Sequence, residues 1–348
     1  MVEYTPEGAV VISYPTLVAS PESVLTSIEK GFGSDPNCLG IIVVKDLPKE
    51  YVHHREKLLK LAYHFGHLDE GIRESYTDPS SKYSFGWSHG KEIMNGKPDT
   101  LKGSYYANPV HLDLKASAEE KEEFPEYYGE NIWPKADERG VEDFREAFIQ
   151  LSELIYEVGC EMAIACQPFA STYLIDSTVS LSDLISKSRT VKARLLHYFP
   201  PSKNEAPPSD DDPVDSWCGF HKDHSMLTGL CSALFLRHKE DGTPEVIKPP
   251  SPTSGLYIRT RGGQLTRVSI PPDCLAFQTG EALEVATNGR LLATPHCVRV
   301  GSMTSTDEVS RESFALFMGP NTEVQISPTL TYGQFSKQIF SEHYESTM

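Results

Sequence analysis

The stretch FHKDHSMLTGL, residues 220–230, decides the fold that the rest of the chain is expected to adopt. Its apolar residues predict a β-strand, in which successive side chains alternate between the two faces of the sheet. His221 and Asp223 are therefore expected on one face and His224 on the other. An imidazole and a carboxylate on one face, joined by a second histidine, form the two-histidine, one-carboxylate set that holds Fe(II) with open positions.

The second histidine is expected to be His296, within the strand-like segment ATPHCVRV of residues 293–300. The chain between Asp223 and His296 is long enough to cross a β-sandwich and return beside the first two residues. A lone histidine is more often a core or surface residue than a metal ligand. The hypothesis therefore depends on His221, Asp223 and His296 together.

The charge balance restricts the class of partner. The 348-residue chain has 49 acidic and 32 basic residues and a formal net charge of −17, which argues against a general nucleic-acid binder. No apolar run approaches the length of about 20 residues that a membrane span needs. We expect a small-molecule substrate, no nucleic acid, no membrane and no obligate protein partner.

The cysteines and the N-terminus indicate the compartment. The seven cysteines are odd in number and scattered along the chain, which favours reduced thiols over a disulfide framework. The first residues, MVEYTP, lack the basic and apolar regions of a secretory leader. We predict a cytoplasmic protein.

Periodicity divides the chain into three regions. Residues 1–190 are predicted to be a helix-rich supporting region with active-site loops, because residues 49–65 and 141–166 carry apolar side chains at helical spacing. Residues 191–325 contain several short apolar runs separated by turn signals, which are typical of an antiparallel sandwich or jelly roll. Residues 326–348 form a tail with a possible closing helix at 332–344. The fold class is therefore mixed α+β.

Two shorter segments carry further predictions. The irregular, aromatic-rich stretch 69–139 is predicted to be a wall of the active site, the alternative being that Phe85 and Trp87 only anchor a surface loop. The substrate is expected to contact residues 85–89, Tyr105-Tyr106 and the tail near 335–340. Asn288-Gly289, between apolar flanks, predicts a tight hairpin turn.

Several motifs, in order, resemble a known family. Residues 220–230 resemble the H-x-D-x-x-x-L-T segment of the isopenicillin-N-synthase-like branch of the 2-oxoglutarate/Fe(II)-dependent oxygenases. GEALE at 280–284, Asn288-Gly289 and HCV at 296–298 are similar to the family's G-[DE]-x-L-E…N-G…H-x-V run, and RES at 311–313 matches its R-x-S motif. The likeness extends over most of the chain and is strongest from residue 194 to 320.

The resemblance implies a fold, cofactors and an activity. The fold is a double-stranded β-helix, or jelly roll, with supporting helices that are mostly N-terminal. His221, Asp223 and His296 would bind the catalytic Fe(II), and Arg311 with Ser313 would grip the distal carboxylate of the cosubstrate 2-oxoglutarate. With dioxygen, such an enzyme hydroxylates, desaturates or cyclises a small organic substrate through an iron(IV)-oxo species.

The chain departs from the family pattern at two places. The family has a tyrosine directly before the proline of the strand that corresponds to residues 194–200, where this chain has Phe199 preceded by Tyr198. Tyr198 is therefore the candidate for the hydroxyl contact with the cosubstrate. Residues 301–310 make a longer link to Arg311 than the family's hairpin and are predicted to form an extended polar loop.

Three other functions remain open. Oxidases of the isopenicillin N synthase or aminocyclopropane-carboxylate oxidase type keep the R-x-S pair but do not use 2-oxoglutarate. A zinc site built from Cys218, His221, His296 and Cys297 is disfavoured because strand alternation points these neighbours to opposite faces. A non-catalytic small-molecule receptor on the same scaffold is the third alternative.

Overall fold

Helices make up much of the first half of the protein. The computed structural model describes residues 1–94, 97–176, 178–200, 216–302 and 308–344. Short 3₁₀ turns lie at Pro21–Val24 and Pro79–Ser81. The α-helices are α1 (Tyr14–Ala19), α2 (Leu25–Phe32), α3 (Glu50–Gly66), α4 (Glu70–Glu74), α5 (Ala118–Glu123), α6 (Pro125–Tyr128), α7 (Phe144–Ala170), α8 (Leu181–Ser186), α9 (Glu281–Ala286) and α10 (Tyr332–Tyr344).

The predicted helices are present with small changes at their ends. α3 ends at Gly66 as expected, and α10 occupies the tail. The long helix α7 starts at Phe144 rather than Val141 and continues beyond Cys166, because its buried stripe extends to Ala170. Within the described residues, no helix combines the length and the apolar character that a bilayer span requires.

The strands form two main sheets. They are β1 (Glu3–Tyr4), β2 (Val10–Ser13), β3 (Ile41–Lys45), β4 (Gly86–His89), β5 (Ile93–Met94), β6 (Lys97–Pro98), β7 (Lys102–Ala107), β8 (Lys192–Tyr198), β9 (Cys218–His221), β10 (Leu227–Cys231), β11 (Leu234–His238), β12 (Pro244–Ile247), β13 (Gly255–Arg259), β14 (Leu265–Val268), β15 (Leu275–Thr279), β16 (His296–Arg299), β17 (Val309–Met318), β18 (Gln325–Ser327) and β19 (Leu330–Thr331).

The larger sheet forms the scaffold of the site. Its strand order is β1-β2-β3-β15-β10-β17-β8-β7-β4. The long strand β17 pairs along one edge with β11 and β10 in turn, and along the other edge with β8. One face of this sheet packs on α2, α3 and α7 through the largest buried apolar cluster.

The smaller sheet, β14-β13-β16-β9, covers the other face. Two further clusters join side chains of both sheets, one containing Tyr198, Phe235 and Val298, the other Val43, Ile258 and Ala276. Two facing sheets, antiparallel except for the parallel pair β2 and β3, with helices mainly N-terminal confirm the predicted mixed α+β jelly roll. The candidate site lies between the sheets.

The opening stretch is not one strand, and this prediction was wrong. β9 of the smaller sheet ends at His221, and β10 of the larger sheet starts at Leu227. Asp223 therefore lies in the connection that crosses from one sheet to the other, where strand alternation does not apply. The crossing is tight: a Cβ on Gly280 would lie 2.9 Å from the Asp223 carbonyl oxygen.

Two other predictions concern the turn at Asn288-Gly289 and the loop at residues 301–310. Asn288 and Gly289 do not connect strands, so the predicted hairpin turn is wrong. They follow α9 with φ of 51° and 74°, and the Gly289 amide donates to the Glu284 carbonyl at 2.8 Å. Of the predicted loop at residues 301–310, positions 303–307 lie outside the described residues.

The proposed division into regions remains a prediction, although β1, β2, β3, β4 and β7 from the first 190 residues extend the larger sheet.

Candidate metal centre

His221 and His296 face each other across two paired strands. They are directly opposite in the antiparallel pairing of β9 with β16, and their ring centroids are 4.2 Å apart. His221 Nδ1 lies 2.8 Å from the Gly219 carbonyl oxygen, and His296 Nδ1 lies 3.0 Å from the Thr294 carbonyl oxygen. These contacts assign the proton of each ring to Nδ1 and leave the lone pair of each ring on Nε2. The amide nitrogen of Gln278 lies 3.4 Å from Nε2 of His296.

Asp223 completes the cluster from the crossing connection. Its Oδ1 is 4.0 Å from His221 Nε2 and 3.8 Å from His296 Nε2. One ligand atom from each of the three residues lies within 4.8 Å of the others. Gln278 on β15 donates its amide hydrogen to the second oxygen, Oδ2, at 2.5 Å. The glutamine thus holds one carboxylate oxygen and leaves Oδ1 directed at the histidines.

The environment favours the protonation states that a metal needs. Burial lowers the pKa of His221 and of His296, so the neutral imidazoles are favoured. Burial alone would raise the pKa of Asp223, but the two histidines and the Gln278 hydrogen bond outweigh it, and the pKa is lowered from its usual value. Two neutral imidazoles and one carboxylate are the donor set of a non-haem Fe(II) site.

The zinc alternative does not fit this arrangement. Cys218 Sγ lies 3.8 Å from Nδ1 of His221, the ring nitrogen opposite the one that faces Asp223. His224 also lies apart, with its Nδ1 3.1 Å from Glu281. Over the described ranges, the one group of three or more such residues with metal-ligand geometry is His221, Asp223 and His296.

A buried arginine lies in the cavity on one side of the cluster. Arg311 is 7% exposed and donates to Ser313 Oγ at 3.2 Å, so the two side chains share a face of β17. Its Nε has no hydrogen-bond partner, and no carboxylate in the described part of the chain pairs with it. A cavity of about 420 Å³ joins Arg311 and Ser313 to His221, Asp223 and His296.

Tyr198 lies in the same cavity. It pairs with Arg311 across β8 and β17, and the guanidinium carbon lies 4.9 Å from the ring centroid. Phe199, the next residue, faces away and packs against His89 and His197. The tyrosine of this strand thus occupies the inward position, one residue earlier than in the family pattern.

A second cavity of about 140 Å³ reaches His221 and Asp223 from another direction. The stretch 69–139 supplies part of its wall through Ser84, Glu92, Lys102, Tyr106, Glu126 and Tyr127, and α10 adds Ile339 and Phe340. Phe85, Trp87 and Tyr105 are instead buried in the core. The stretch therefore lines a cavity beside the cluster through some residues and packs into the core through others, and its role as a wall of the active site remains a prediction.

Three contributors to the site were not predicted. Gln278 is a buried polar residue in the apolar run CLAFQT, and that incongruity was the one available signal. Glu126 and Lys192 lie far apart in sequence and meet only in the second cavity, so no local pattern indicates them.

A jelly roll with a His-Asp-His cluster beside a buried arginine is the arrangement that the resemblance to the 2-oxoglutarate/Fe(II)-dependent oxygenases implied. The chain is 27% identical to gibberellin 2-beta-dioxygenase 4 of Arabidopsis thaliana over 188 residues, 48% of this chain and 51% of the relative. It is 27% identical to oxoglutarate-dependent flavonoid 7-O-demethylase 1 of Ocimum basilicum over 134 residues, 34% of this chain and 33% of the relative. The matches thus span about half or less of these curated relatives.

A solved structure extends the likeness to the whole fold. A full-length Neurospora crassa protein in complex with alpha-KG superposes with a TM-score of 0.67 at 16% identity, covering 98% of this chain and 100% of that one. The same Neurospora crassa protein is described in complex with thymine. No protein-family profile matches the chain. Together these findings confirm the resemblance to the 2-oxoglutarate/Fe(II)-dependent oxygenases and the fold that it implied.

Proposed function

We propose that this protein is an Fe(II)- and 2-oxoglutarate-dependent oxygenase that oxidises a small organic substrate. One observation carries the proposal: the His221-Asp223-His296 cluster and a buried arginine without an acidic partner in the described chain line one cavity. The named relatives support it, since their descriptions are those of dioxygenases and an oxoglutarate-dependent demethylase.

The cluster fits an iron ion in its chemistry. The two Nε2 atoms and Asp223 Oδ1 converge, while the remaining polar atoms of the three side chains are held by the protein. Three protein ligands leave about three positions on an octahedral ion for a bidentate acid and dioxygen. When bound, the iron supplies the redox chemistry that activates dioxygen with the 2-oxo acid as co-reductant.

The cavity fits a dicarboxylic 2-oxo acid. A guanidinium fork and a hydroxyl on one strand face can bind one carboxylate in two-point fashion. Burying Arg311 without a counter-charge is unfavourable, so an anion that enters beside it gains a strong interaction. Tyr198 packs over the guanidinium and restricts its orientation. We assign the distal carboxylate of 2-oxoglutarate to Arg311 and Ser313, with Tyr198 beside it.

The test is spectroscopic and chemical. Anaerobic addition of Fe(II) and then 2-oxoglutarate should produce a weak visible charge-transfer band, and admission of oxygen should yield succinate. Absence of both the band and succinate would falsify the proposal. Oxygen uptake that needs no 2-oxo acid would instead establish the oxidase alternative, in which Arg311 and Ser313 bind another carboxylate.

We retain two expectations about the setting of this activity. The substrate is a small molecule, in keeping with the Neurospora crassa protein that is described with thymine. The protein is expected in the cytoplasm. Fractionation of cells that express the full chain, followed by immunodetection, measures this location directly.

A further inference from the structure

The smaller cavity contains a buried carboxylate and a buried ammonium group that the proposed chemistry does not use. Glu126 on α6 is 1% exposed and Lys192 at the start of β8 is 7% exposed. Both line the cavity of about 140 Å³ that also reaches His221 and Asp223. A compact molecule in this cavity can therefore touch the two residues while another part of it lies beside the metal cluster.

Glu126 has hydrogen-bonding capacity that no other residue uses. Neither oxygen of its carboxylate accepts a hydrogen bond from another side chain or backbone group of the described protein. Burial raises the pKa of this carboxyl. A buried carboxyl group without partners is costly, and its presence calls for a bound water, an ion, a ligand or a functional role.

Lys192 is only partly satisfied. Its Nζ donates to the Ser84 carbonyl oxygen at 3.1 Å and lies 3.3 Å from the centre of the Phe85 ring. An ammonium group has three donors, so this side chain retains donors for a ligand. Within the described residues Lys192 forms no ion pair, although Glu126 lies close enough to affect its pKa. The two groups thus face one cavity without contacting each other.

The other lysine, arginine and glutamate side chains that line this cavity are paired. Glu92 pairs with Arg194 at 2.7 Å and with Lys102 at 3.0 Å, and Lys102 also pairs with Asp99 at 3.0 Å. Lys222 pairs with Glu284 at 3.1 Å. Glu126 and Lys192 add no net charge, whether both are ionised or a proton has passed from one to the other. The cavity therefore offers no excess positive charge to a carboxylate.

The remaining wall is mainly apolar and aromatic, with Tyr106, Phe317, Tyr332, Ile339 and Phe340. A suitable ligand would combine a compact apolar body with one polar edge that presents a donor to Glu126 and an acceptor to Lys192. Amides, lactams and imides carry N–H and C=O on adjacent atoms and no charge.

We propose that Glu126 and Lys192 are specificity-determining residues that bind the adjacent N–H and C=O groups of a neutral, compact amide, lactam or imide substrate. This assignment rests on the proposed function, because it places the substrate of that reaction. The two cavities would then differ in the charge of their ligands. The cavity at Arg311 would bind an anionic cosubstrate, and the cavity at Lys192 would bind a neutral substrate.

The test uses three probes of similar size on the full chain: phthalimide, N-methylphthalimide and benzoate. Calorimetric titrations are run anaerobically, with and without Fe(II) and 2-oxoglutarate. Phthalimide should bind about 10- to 100-fold more tightly than N-methylphthalimide, because a hydrogen bond to a buried charged group is lost on methylation. Benzoate should bind most weakly.

Variants test whether Glu126 and Lys192 cause this difference in affinity. Glu126→Leu and Lys192→Met should each weaken phthalimide binding about 10-fold or more, and Glu126→Leu should leave N-methylphthalimide binding unchanged. Glu126→Gln keeps an acceptor oxygen and should retain most of the affinity for phthalimide. It therefore tests the role of the acceptor even if the leucine variant does not fold. Glu3→Leu and Lys45→Met alter an exposed ion pair of 2.7 Å between β1 and β3, outside the cavity, and should have no effect.

The proposal is overturned if phthalimide binds no better than its N-methyl form, if benzoate binds best, if no probe binds at millimolar concentration, or if the cavity variants bind phthalimide like the control variants. A charge-transfer band together with any of these results leaves the oxygenase proposal standing. Glu126-dependent phthalimide binding without such a band and without succinate formation removes the oxygenase proposal and keeps the recognition site.

Discussion

The two ends of one pair of strands differ in how they balance buried charge. β8 and β17 are adjacent, with Tyr198 opposite Arg311 at one end and Lys192 opposite Phe317 at the other. At the first end the buried cation has no acidic partner in the described chain, whereas at the second Lys192 shares its cavity with Glu126. One strand pair thus carries the proposed anion-binding site at one end and two buried groups of opposite charge type at the other, and the cavities at both ends reach the His221-Asp223-His296 cluster.

This difference between the two ends explains how a strongly acidic protein could bind a dianion. The net charge of −17 repels anions at long range, but binding depends on the local field in a cavity of low dielectric constant. The buried Arg311 guanidinium, which no carboxylate of the described residues pairs with, would supply that field. At the other end the same positive charge, matched by a carboxyl group, loses its preference for anions.

The largest effect is expected from removing a ligand of the cluster that both ends share. His221→Ala should abolish Fe(II) binding and succinate formation, because one histidine and one carboxylate cannot complete the donor set. His224→Ala is the matched control, since that ring pairs with Glu281 instead. Metal content after dialysis, measured by atomic emission, checks the result, and stoichiometric iron in H221A would exclude this residue as a ligand.

Removing the positive charge of Arg311 should impair the binding of 2-oxoglutarate and leave the binding of Fe(II) and phthalimide intact. Arg311→Met should weaken 2-oxoglutarate binding about 100-fold, as is typical when a buried charge-assisted contact is lost, while Fe(II) binding persists. Anaerobic titration of the charge-transfer band measures the dissociation constant. Phthalimide affinity should be unchanged in R311M; a parallel loss of both ligands would show that the two ends are not independent.

An intermediate effect is expected at the residue that orients the carboxylate. Gln278→Leu removes the hydrogen bond to Asp223 Oδ2 and frees the carboxylate to rotate. Fe(II) affinity should fall about 10- to 100-fold, as for other lost partners of metal ligands. Gln278→Glu would add a negative charge at the same position and is compared with Gln278→Leu. Competition with a chelator of known affinity gives the constants, and wild-type affinity in Q278L would contradict the positioning role.

The smallest effect concerns stability at the neutral end. Burial holds the pKa of Lys192 well below its usual value, so the unfolded chain binds more protons than the folded chain between that lowered pKa and about pH 10.4. Stability conferred by this residue therefore rises with pH in that window. Lys192→Met should raise the free energy of unfolding at pH 7 by on the order of 1 kcal/mol and flatten its rise towards pH 10.

Urea unfolding at pH 7 and pH 9 measures both quantities for K192M. Lys60→Met, in an exposed ion pair on α3, is the control and should leave the curve of stability against pH unchanged. A K192M protein less stable than the wild type at both values would mean that Lys192 is satisfied within the fold rather than held for a ligand.

The sequence by itself determined the residue types of the metal cluster and the class of fold. His221, Asp223, His296, Arg311 and Ser313 were identified from motifs in order along the chain, and the structure brings the first three together and joins the last two on one strand face. Their roles as metal ligands and acid clamp remain predictions. The helix at 50–66 followed from periodicity, because it has one apolar face to bury.

Only the tertiary structure decided how these residues meet. Alternation placed His221 and Asp223 on one strand face, but the chain leaves one sheet at His221 and joins the other at Leu227, and local sequence does not encode which sheet a strand joins. Glu126 comes from a short helix and Lys192 from a distant strand. Their shared cavity arises because packing, rather than sequence spacing, brings the two elements together.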